Sequence, residues 1–273
     1  MKKNKKVFYY NDESNDDFFP TKTSLSVTVD GNYNYLPKSA LFKVFSFVFN
    51  FVFALPLLFI ANTLVFGVSV KGRKNIKELK QKGFFVYANH TSFQDAWLTP
   101  IFVAPFRKNY IIVNKNAIQI PVVASLVKAG GALPVPDTIG AFKNLNQAIN
   151  EIVVNKKQIV TIFPEAHIWP YYTKVRPFPQ TSFKFAAKAN APVVPVAVCY
   201  ERRAILGNKR KPKTTVYIGR PVYPKPELSE KENAAFLRDE THKFIKETTA
   251  IKSTFAYIDY VKQIDDQQIA VAE

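Results

Sequence analysis

The sequence predicts an α/β protein: a sheet flanked by helices, preceded by an apolar helical segment. After Lys82, short apolar runs alternate with amphipathic stretches, which is the pattern of strands and covering helices. Residues 44–70 contain no charged side chain, and such a run is long enough to cross a hydrocarbon layer. A chain of 273 residues accommodates one large domain with extensions.

Residues 1–38 are polar and of mixed charge, and they are predicted to form a tail or a small cap. Their basic start, MKKNKK, is followed by acidic residues instead of an apolar run, so the pattern does not indicate a secretory signal.

Residues 39–70 are predicted to be a membrane-associated helical segment. Asn50, Pro56 and Asn62 interrupt the run, and Pro56 is expected to kink it. Basic residues flank both ends, so the positive-inside rule gives no orientation. A full span and a re-entrant hairpin that enters and leaves by one face both fit the pattern.

Residues 71–273 are predicted to form a domain with C-terminal helices. Strands are expected at 84–88, 110–113, 158–163, 193–200 and 214–219. Helices are expected to begin near Ser92, Gln119, Thr138 and Thr181, and a charged helix near Glu227–Ile245 is followed by a second one after Thr249.

The formal net charge is +17, which draws the chain toward a polyanion, either nucleic acid or a membrane with acidic lipids. The 27-residue uncharged run argues against a nucleic-acid-binding module, which has no use for such a segment. The chain has one cysteine, Cys199, within an apolar strand-like run, where a small buried side chain is expected.

The stretch NHTSFQD, residues 89–95, is the first candidate for chemistry. It follows the apolar run 84–88, so His90 is predicted at the carboxyl end of a strand, the edge where α/β proteins bind ligands. A carboxylate from Asp95 could accept the imidazole Nδ1–H and leave Nε2 as a base. The alternative is structural, because Ser92-x-x-Asp95 is also a capping-box pattern.

Four separated stretches resemble the glycerolipid acyltransferase family, whose best-known members convert lysophosphatidic acid to phosphatidic acid. Asn89-His90 with Asp95 resembles the family's N-H-x4-D motif, and FPEAH (163–167) resembles its F-P-E-G-T-R block. Residues 113–137 resemble the segment between these blocks, and APVVPVAV (191–198) resembles the V-P-[IV]-V-P-V strand. The resemblance covers roughly residues 71 to 225.

The resemblance implies a mixed sheet and transfer of a fatty acyl group from acyl-CoA or acyl carrier protein to a lysophospholipid hydroxyl, most closely that of 1-acylglycerol-3-phosphate. In that mechanism His90 is the general base, Asp95 orients it, and Glu165 orders the acceptor side. The thioester is a substrate, so no cofactor is expected. The implied location is a membrane, with the catalytic domain on its cytoplasmic face.

The sequence departs from the family where arginines usually face an acceptor phosphate. Ala166, His167 and Ile168 stand in place of Gly-Thr-Arg, and Asp137 stands where the intermediate block usually ends in Arg. Lys115 and Arg176 are candidate replacements, and the guanidinium of Arg176 suits a phosphate best. His167 is expected either in the acceptor site or in a structural role beside Trp169.

His242 is predicted on the solvated face of a charged helix. Three dispersed histidines and one cysteine form no zinc pattern, and the sequence has no nucleotide-binding glycine loop. Two alternatives to acyl transfer stay open: a lipid hydrolase that uses the same His–Asp pair, and a basic membrane-binding protein without activity.

Overall fold

The computed structural model describes residues 5–18, 27–119, 121–203 and 211–263. Residues 1–4 and 19–26 of the predicted tail lie outside this description. Residues 120, 204–210 and 264–273 of the predicted domain also lie outside it. The strands are β1 (Lys6–Tyr10), β2 (Ser69–Lys71), β3 (Phe84–Ala88), β4 (Asn109–Val113), β5 (Ala132–Pro134), β6 (Ile159–Ile162), β7 (Val193–Glu201), β8 (Lys213–Ile218) and β9 (Ile258–Lys262).

The described helices lie between these strands. They are α1 (Ala40–Val65), α2 (Asp95–Leu98), α3 (Pro121–Gly130), α4 (Ile139–Asn150), α5 (Lys184–Lys188) and α6 (Glu230–Lys252). One π-helical turn extends α2 over Thr99–Val103, and another extends α4 over Glu151–Asn155. Short 3₁₀ turns cover Arg73–Leu79, Lys115–Ile118 and Gln180–Phe183.

The main sheet has seven strands in the order β2-β8-β7-β3-β6-β4-β5. Its strands pair in parallel except β7 and β8, which are antiparallel, so the predicted mixed α/β fold is confirmed. All five residues of β3 are buried, as expected for a central strand covered on both faces. Phe85 and Tyr87 join the core on one face, and Phe84 and Val86 join the core on the other. The carboxyl ends of β3, β4 and β6 therefore meet at one edge.

The apolar segment forms the 26-residue helix α1, about 39 Å long at 1.5 Å per residue. Its length and composition are those of a helix able to cross a membrane. It continues through Pro56 without a reversal. Pro56 lies in the first turn of the α-helical part Leu55–Ile60, which follows a π-helical stretch, and a missing N–H is tolerated there. Large apolar side chains stay exposed along α1: Leu41, Val44, Phe47, Leu57 and Leu64.

Three polar residues within α1, Ser46, Asn50 and Asn62, face the domain instead of the exposed side. The amide of Asn50 donates to the carbonyl of Ala129 in α3 at 2.7 Å, and the hydroxyl of Ser46 donates to the same carbonyl at 2.7 Å. Lys108 donates to Ser46 Oγ at 2.9 Å and also to the Ala129 carbonyl. Asn62 is 1% exposed and donates to the Leu58 carbonyl within the helix. Hydrogen bonds to Ala129 therefore attach α1 to the domain.

Both ends of the described chain meet in a second, two-stranded parallel sheet formed by β1 and β9. The helix predicted after Thr249 is therefore wrong: α6 runs to Lys252 and is followed by the strand β9. Residues 256–262, AYIDYVK, are rich in β-branched and aromatic residues, and pairing with β1 from the other end of the chain supplies the hydrogen bonds of a strand.

The ammonium group of Lys108 provides a test of how α1 is attached. Burial lowers the pKa of Lys108 from 10.5 to about 8. Between these values the unfolded chain binds a proton that the folded chain has lost, so folding stability rises with pH in this window. We expect the free energy of unfolding of the wild type to rise relative to Lys108→Met between about pH 8 and pH 10.5. Denaturant titrations in detergent at each pH measure it, and parallel pH dependences would contradict the titration of Lys108.

Candidate active site

His90 and Asp95 form a hydrogen-bonded pair at the carboxyl edge of the sheet. β3 ends at Ala88 and α2 begins at Asp95, so the pair spans the turn between them. His90 Nδ1 lies 3.1 Å from Asp95 Oδ2. Because a carboxylate can only accept, Nδ1 carries the proton, and Nε2 is left as the basic nitrogen. The Asp95 side chain is 1% exposed and that of His90 is 15% exposed, so the base remains reachable.

The same carboxylate also shapes the turn. Asp95 Oδ2 accepts the backbone N–H of Thr91 at 2.6 Å and that of Ser92 at 2.8 Å, and Ser92 Oγ accepts the N–H of Gln94 at 3.1 Å. Asp95 thus makes one half of the predicted capping box, the contact to the Ser92 N–H, and also contacts the imidazole of His90. Asp95 Oδ2 makes both sets of contacts: it accepts the backbone N–H groups before α2 and it lies beside the imidazole Nδ1.

The loop after β6, residues 163–172, holds His90 in place, and we call it the site loop. The backbone N–H of His90 donates to Glu165 Oε2 at 2.9 Å, and its carbonyl accepts from the N–H of Trp169 at 3.2 Å. The imidazole stacks on Phe163, with ring centroids 4.3 Å apart. The site loop therefore fixes both the backbone and the ring plane of the base.

Side-chain hydrogen bonds join the turn to β7. They involve Asn89 of the turn and Tyr200 of β7, and the sequence did not identify either as a site residue. The side-chain amide of Asn89 donates to the carbonyl of Val198 at 3.0 Å and accepts its N–H at 2.8 Å, continuing the strand pairing past the end of β3. Thr91 Oγ1 lies 2.7 Å from the hydroxyl of Tyr200. Asn89 was visible as the first residue of the motif, whereas nothing in the sequence pointed to Tyr200.

Glu165 and Arg176 form a buried ion pair beneath the site loop. Arg176 Nη2 lies 3.1 Å from Glu165 Oε2 and also donates to the carbonyl of His167, while the Arg176 N–H donates to Glu165 Oε1 at 2.9 Å. The guanidinium lies 5.0 Å from the ring centroid of Trp169. Burial raises the pKa of Glu165, and Arg176 with the two backbone N–H groups offsets part of that effect.

Arg176 is 1% exposed, so the structure places its guanidinium in the interior and not at the surface of the site. Its Nε and Nη1 have no hydrogen-bond partner among the described residues. The carboxylate of Glu165 is also buried and accepts the backbone N–H of His90. Glu165 and Arg176 therefore lie next to His90 and support its backbone.

The other two residues predicted for the acceptor side, Lys115 and His167, each lie beside a carboxylate. Lys115 Nζ lies 2.6 Å from Asp137 Oδ1, and Asp137 Oδ2 accepts the backbone N–H of Val29 at 2.9 Å. His167 Nδ1 lies 3.4 Å from Asp17 Oδ2. Lys115 follows the end of β4 and His167 follows the end of β6, at the edge of the sheet that carries His90.

His242 does not lie on a solvated face as the sequence predicted. It is half-buried, and its ring meets Phe178 edge to face at a centroid distance of 4.9 Å. Burial lowers its pKa. The hydrophobic pattern of α6 did not reveal this contact, because Phe178 belongs to a loop distant in sequence.

Cys199 is fully buried, and burial raises the pKa of its thiol to about 12, so it is not a nucleophile. Within the described part of the chain, no three His, Cys, Asp or Glu side chains cluster as metal ligands would.

The matches to known proteins fall on this same region. The acyltransferase family model matches residues 67–199, a segment that contains His90, Asp95 and Glu165. The chain therefore carries an acyltransferase domain over residues 67–199. It is accordingly an enzyme, and the family implies an acyl donor and a lipid acceptor.

The fold of this acyltransferase is similar to a solved structure, the 1-acyl-sn-glycerophosphate (LPA) acyltransferase PlsC from Thermotoga maritima. The TM-score is 0.54 with 23% sequence identity, and the match covers 73% of this chain and 81% of that chain. This similarity confirms the fold. No curated protein matches the chain.

Ala166 provides a test of strain in the site loop. Its φ is 62°, in the left-handed region where a Cβ is costly and where the resembling family motif has glycine. We expect Ala166→Gly to raise the free energy of unfolding by about 1 kcal/mol, measured by denaturant titration. Ala166→Val should lower it, because a β-branched side chain is worse in this region. A loss of stability in the glycine variant would contradict this account.

The buried ion pair provides a second test. Glu165→Gln leaves the charge of Arg176 buried without a counterion, so we expect the free energy of unfolding to fall by about 3 kcal/mol. The double variant Glu165→Gln/Arg176→Met should regain most of this loss, because no uncompensated charge remains. The single variant Arg176→Met is measured as well. If the losses of the two single variants simply add in the double variant, Glu165 and Arg176 do not stabilise the loop as a pair.

Proposed function

We propose that this acyltransferase moves a fatty acyl group from the thioester of acyl-CoA or acyl carrier protein to the hydroxyl of a lysophospholipid. We take 1-acylglycerol-3-phosphate as the acceptor to test first. The observation that carries the proposal is the 3.1 Å contact between His90 Nδ1 and Asp95 Oδ2 within the segment that matches the family. The named acceptor of the structurally similar enzyme supports this choice.

In the proposed reaction, His90 Nε2 takes the proton of the acceptor hydroxyl as its oxygen attacks the thioester carbonyl carbon. Asp95 stabilises the imidazolium that forms, as a buried carboxylate on Nδ1–H does. The tetrahedral intermediate then expels the thiolate, the C–S bond breaks, and the proton passes from His90 to sulfur. The products are an ester and a thiol, and no acyl-enzyme is needed.

An apolar cavity supports the proposal that an acyl chain lies beside the pair. It has a volume of about 350 Å³ and lies between α1, α2, β4 and α3. Its walls include Leu55, Ala96, Trp97, Ile111 and Val113. Ala96 and Trp97 directly follow Asp95 on α2, so the cavity and the carboxylate of the pair share one helix. The volume falls within the range of small-molecule sites in proteins.

The proposed location is a membrane with acidic lipids, with the catalytic domain on the cytoplasmic face. Residues 39–70 would be the membrane-associated segment and 71–273 the domain. Within the first range, α1 (Ala40–Val65) would contact lipid, because Ser69 and Val70 already pair with β8 of the main sheet. The exposed apolar side chains of α1 support contact with lipid. Basic residues on both sides of α1 would bind acidic head groups: Lys38, Lys43, Lys71, Arg73 and Lys74.

The test is acyl transfer by the purified protein in detergent, with labelled acyl-CoA and acyl carrier protein thioesters offered with lysophospholipids. We expect His90→Ala to lower kcat by about 10²- to 10⁴-fold, because the general base is lost. Asp95→Asn should also lower kcat while keeping the turn, because its amide oxygen can still accept from Thr91 and Ser92.

Asp239→Asn is the matched control, because it removes a carboxylate from the exposed surface of α6. Unchanged thermal unfolding would exclude misfolding as the cause. Release of free fatty acid without ester formation would identify a hydrolase instead. Wild-type transfer that persists in both site variants would contradict the proposed roles.

A further inference from the structure

The N-terminal segment, residues 5–18, lies against the site loop. The indole N–H of Trp169 donates to the carbonyl of Asp16 at 2.9 Å, and the hydroxyl of Tyr172 donates to Glu13 Oε1 at 2.8 Å. The ring of Phe18 meets that of Trp169 at a centroid distance of 5.2 Å. Trp169 also donates its backbone N–H to the carbonyl of His90. A single residue, Trp169, therefore connects the N-terminal segment to His90.

These contacts fix the position of Asp17. Its neighbours on both sides, Asp16 and Phe18, are held on the buried Trp169, so the chain between them has little freedom. Phe18 also packs edge to face on Tyr260 of β9, with centroids 5.4 Å apart. Asp17 is therefore presented by an anchored segment and is not part of a loose tail.

The carboxylate of Asp17 is directed at His167. Asp17 Oδ2 lies 3.4 Å from His167 Nδ1, and about a third of each side chain is exposed. His167 belongs to the site loop, and its carbonyl accepts from Arg176, the partner of Glu165. The pair thus stands at the rim of the site, within reach of solvent and of a bound acceptor.

Two other basic side chains that the sequence predicted for the acceptor side are already paired with carboxylates. Arg176 is 1% exposed and held by Glu165, and Lys115 is paired with Asp137 at 2.6 Å. A phosphate that binds beside the site loop therefore approaches an imidazole that already lies beside the carboxylate of Asp17. A phosphate monoester and a carboxylate offer the same kind of anionic oxygen to an imidazole N–H.

We propose that Asp17 is a specificity-determining residue that competes with the phosphate of the acceptor for His167. The inference rests on the proposed function, since it concerns the acceptor of the same site. Asp17 weakens the binding of an acceptor with an anionic head group and leaves a neutral acceptor unaffected. The N-terminal segment thereby sets how strongly the site binds a phosphate.

The experiment compares wild type, Asp17→Asn and Asp239→Asn with two acceptors, 1-acylglycerol-3-phosphate and uncharged monoacylglycerol. Asp239→Asn removes the same charge from α6, so it controls for the overall field of the chain. We expect Asp17→Asn to lower KM for the phosphate acceptor by about two- to fivefold, the range of a partly exposed ion pair, with kcat unchanged. KM for monoacylglycerol should not change.

Binding is measured separately with a lysophosphatidate analogue that lacks the acceptor hydroxyl and cannot react. Its Kd should fall by the same factor in Asp17→Asn and rise in His167→Asn, whether or not the chain turns over. Absence of transfer in the wild type together with this shift in Kd would defeat the proposed function alone. Equal Kd values for Asp17→Asn and Asp239→Asn, or an equal change of KM for both acceptors, would overturn the competition.

Discussion

The buried carboxylate of Glu165 joins the two loops from which the site is built. It accepts the backbone N–H of His90 at 2.9 Å and the side-chain and backbone N–H groups of Arg176. Taking a carboxylate out of water is costly unless it is paired and hydrogen-bonded, and Arg176 meets that requirement from the chain segment that follows the site loop. The position of His90 therefore depends on an ion pair that is buried in the interior.

A second layer of contacts holds the site loop from outside. Trp169 lies at the centre of an aromatic cluster with Tyr172 of the same loop and with Tyr10, Phe18 and Tyr260, which lie near the two ends of the described chain. Aromatic pairs of this kind add stability beyond the area that they bury. The termini thus contribute to the catalytic region although they lie outside the seven-stranded sheet and outside the matched segment.

The hydrogen bonds that hold α1 to the domain converge on one carbonyl, that of Ala129, which accepts from Ser46, Asn50 and Lys108. Leu55 and Leu58 pack on the core from the same helix, while other large apolar side chains of α1 stay exposed. This arrangement brings the lipid-compatible surface of α1 next to the cavity beside α2.

The sequence by itself determined the α/β class, the central strand 84–88, the apolar helix and the His90–Asp95 pair, because each depends on local periodicity or on spacing within one turn. It could not determine which charges pair across the fold. Arg176 was expected at the acceptor but lies under Glu165, and the segment after Thr249 became a strand only because β1 offers it a partner. Pairings between residues distant in sequence follow from how strands and loops pack, so the tertiary structure alone decided them.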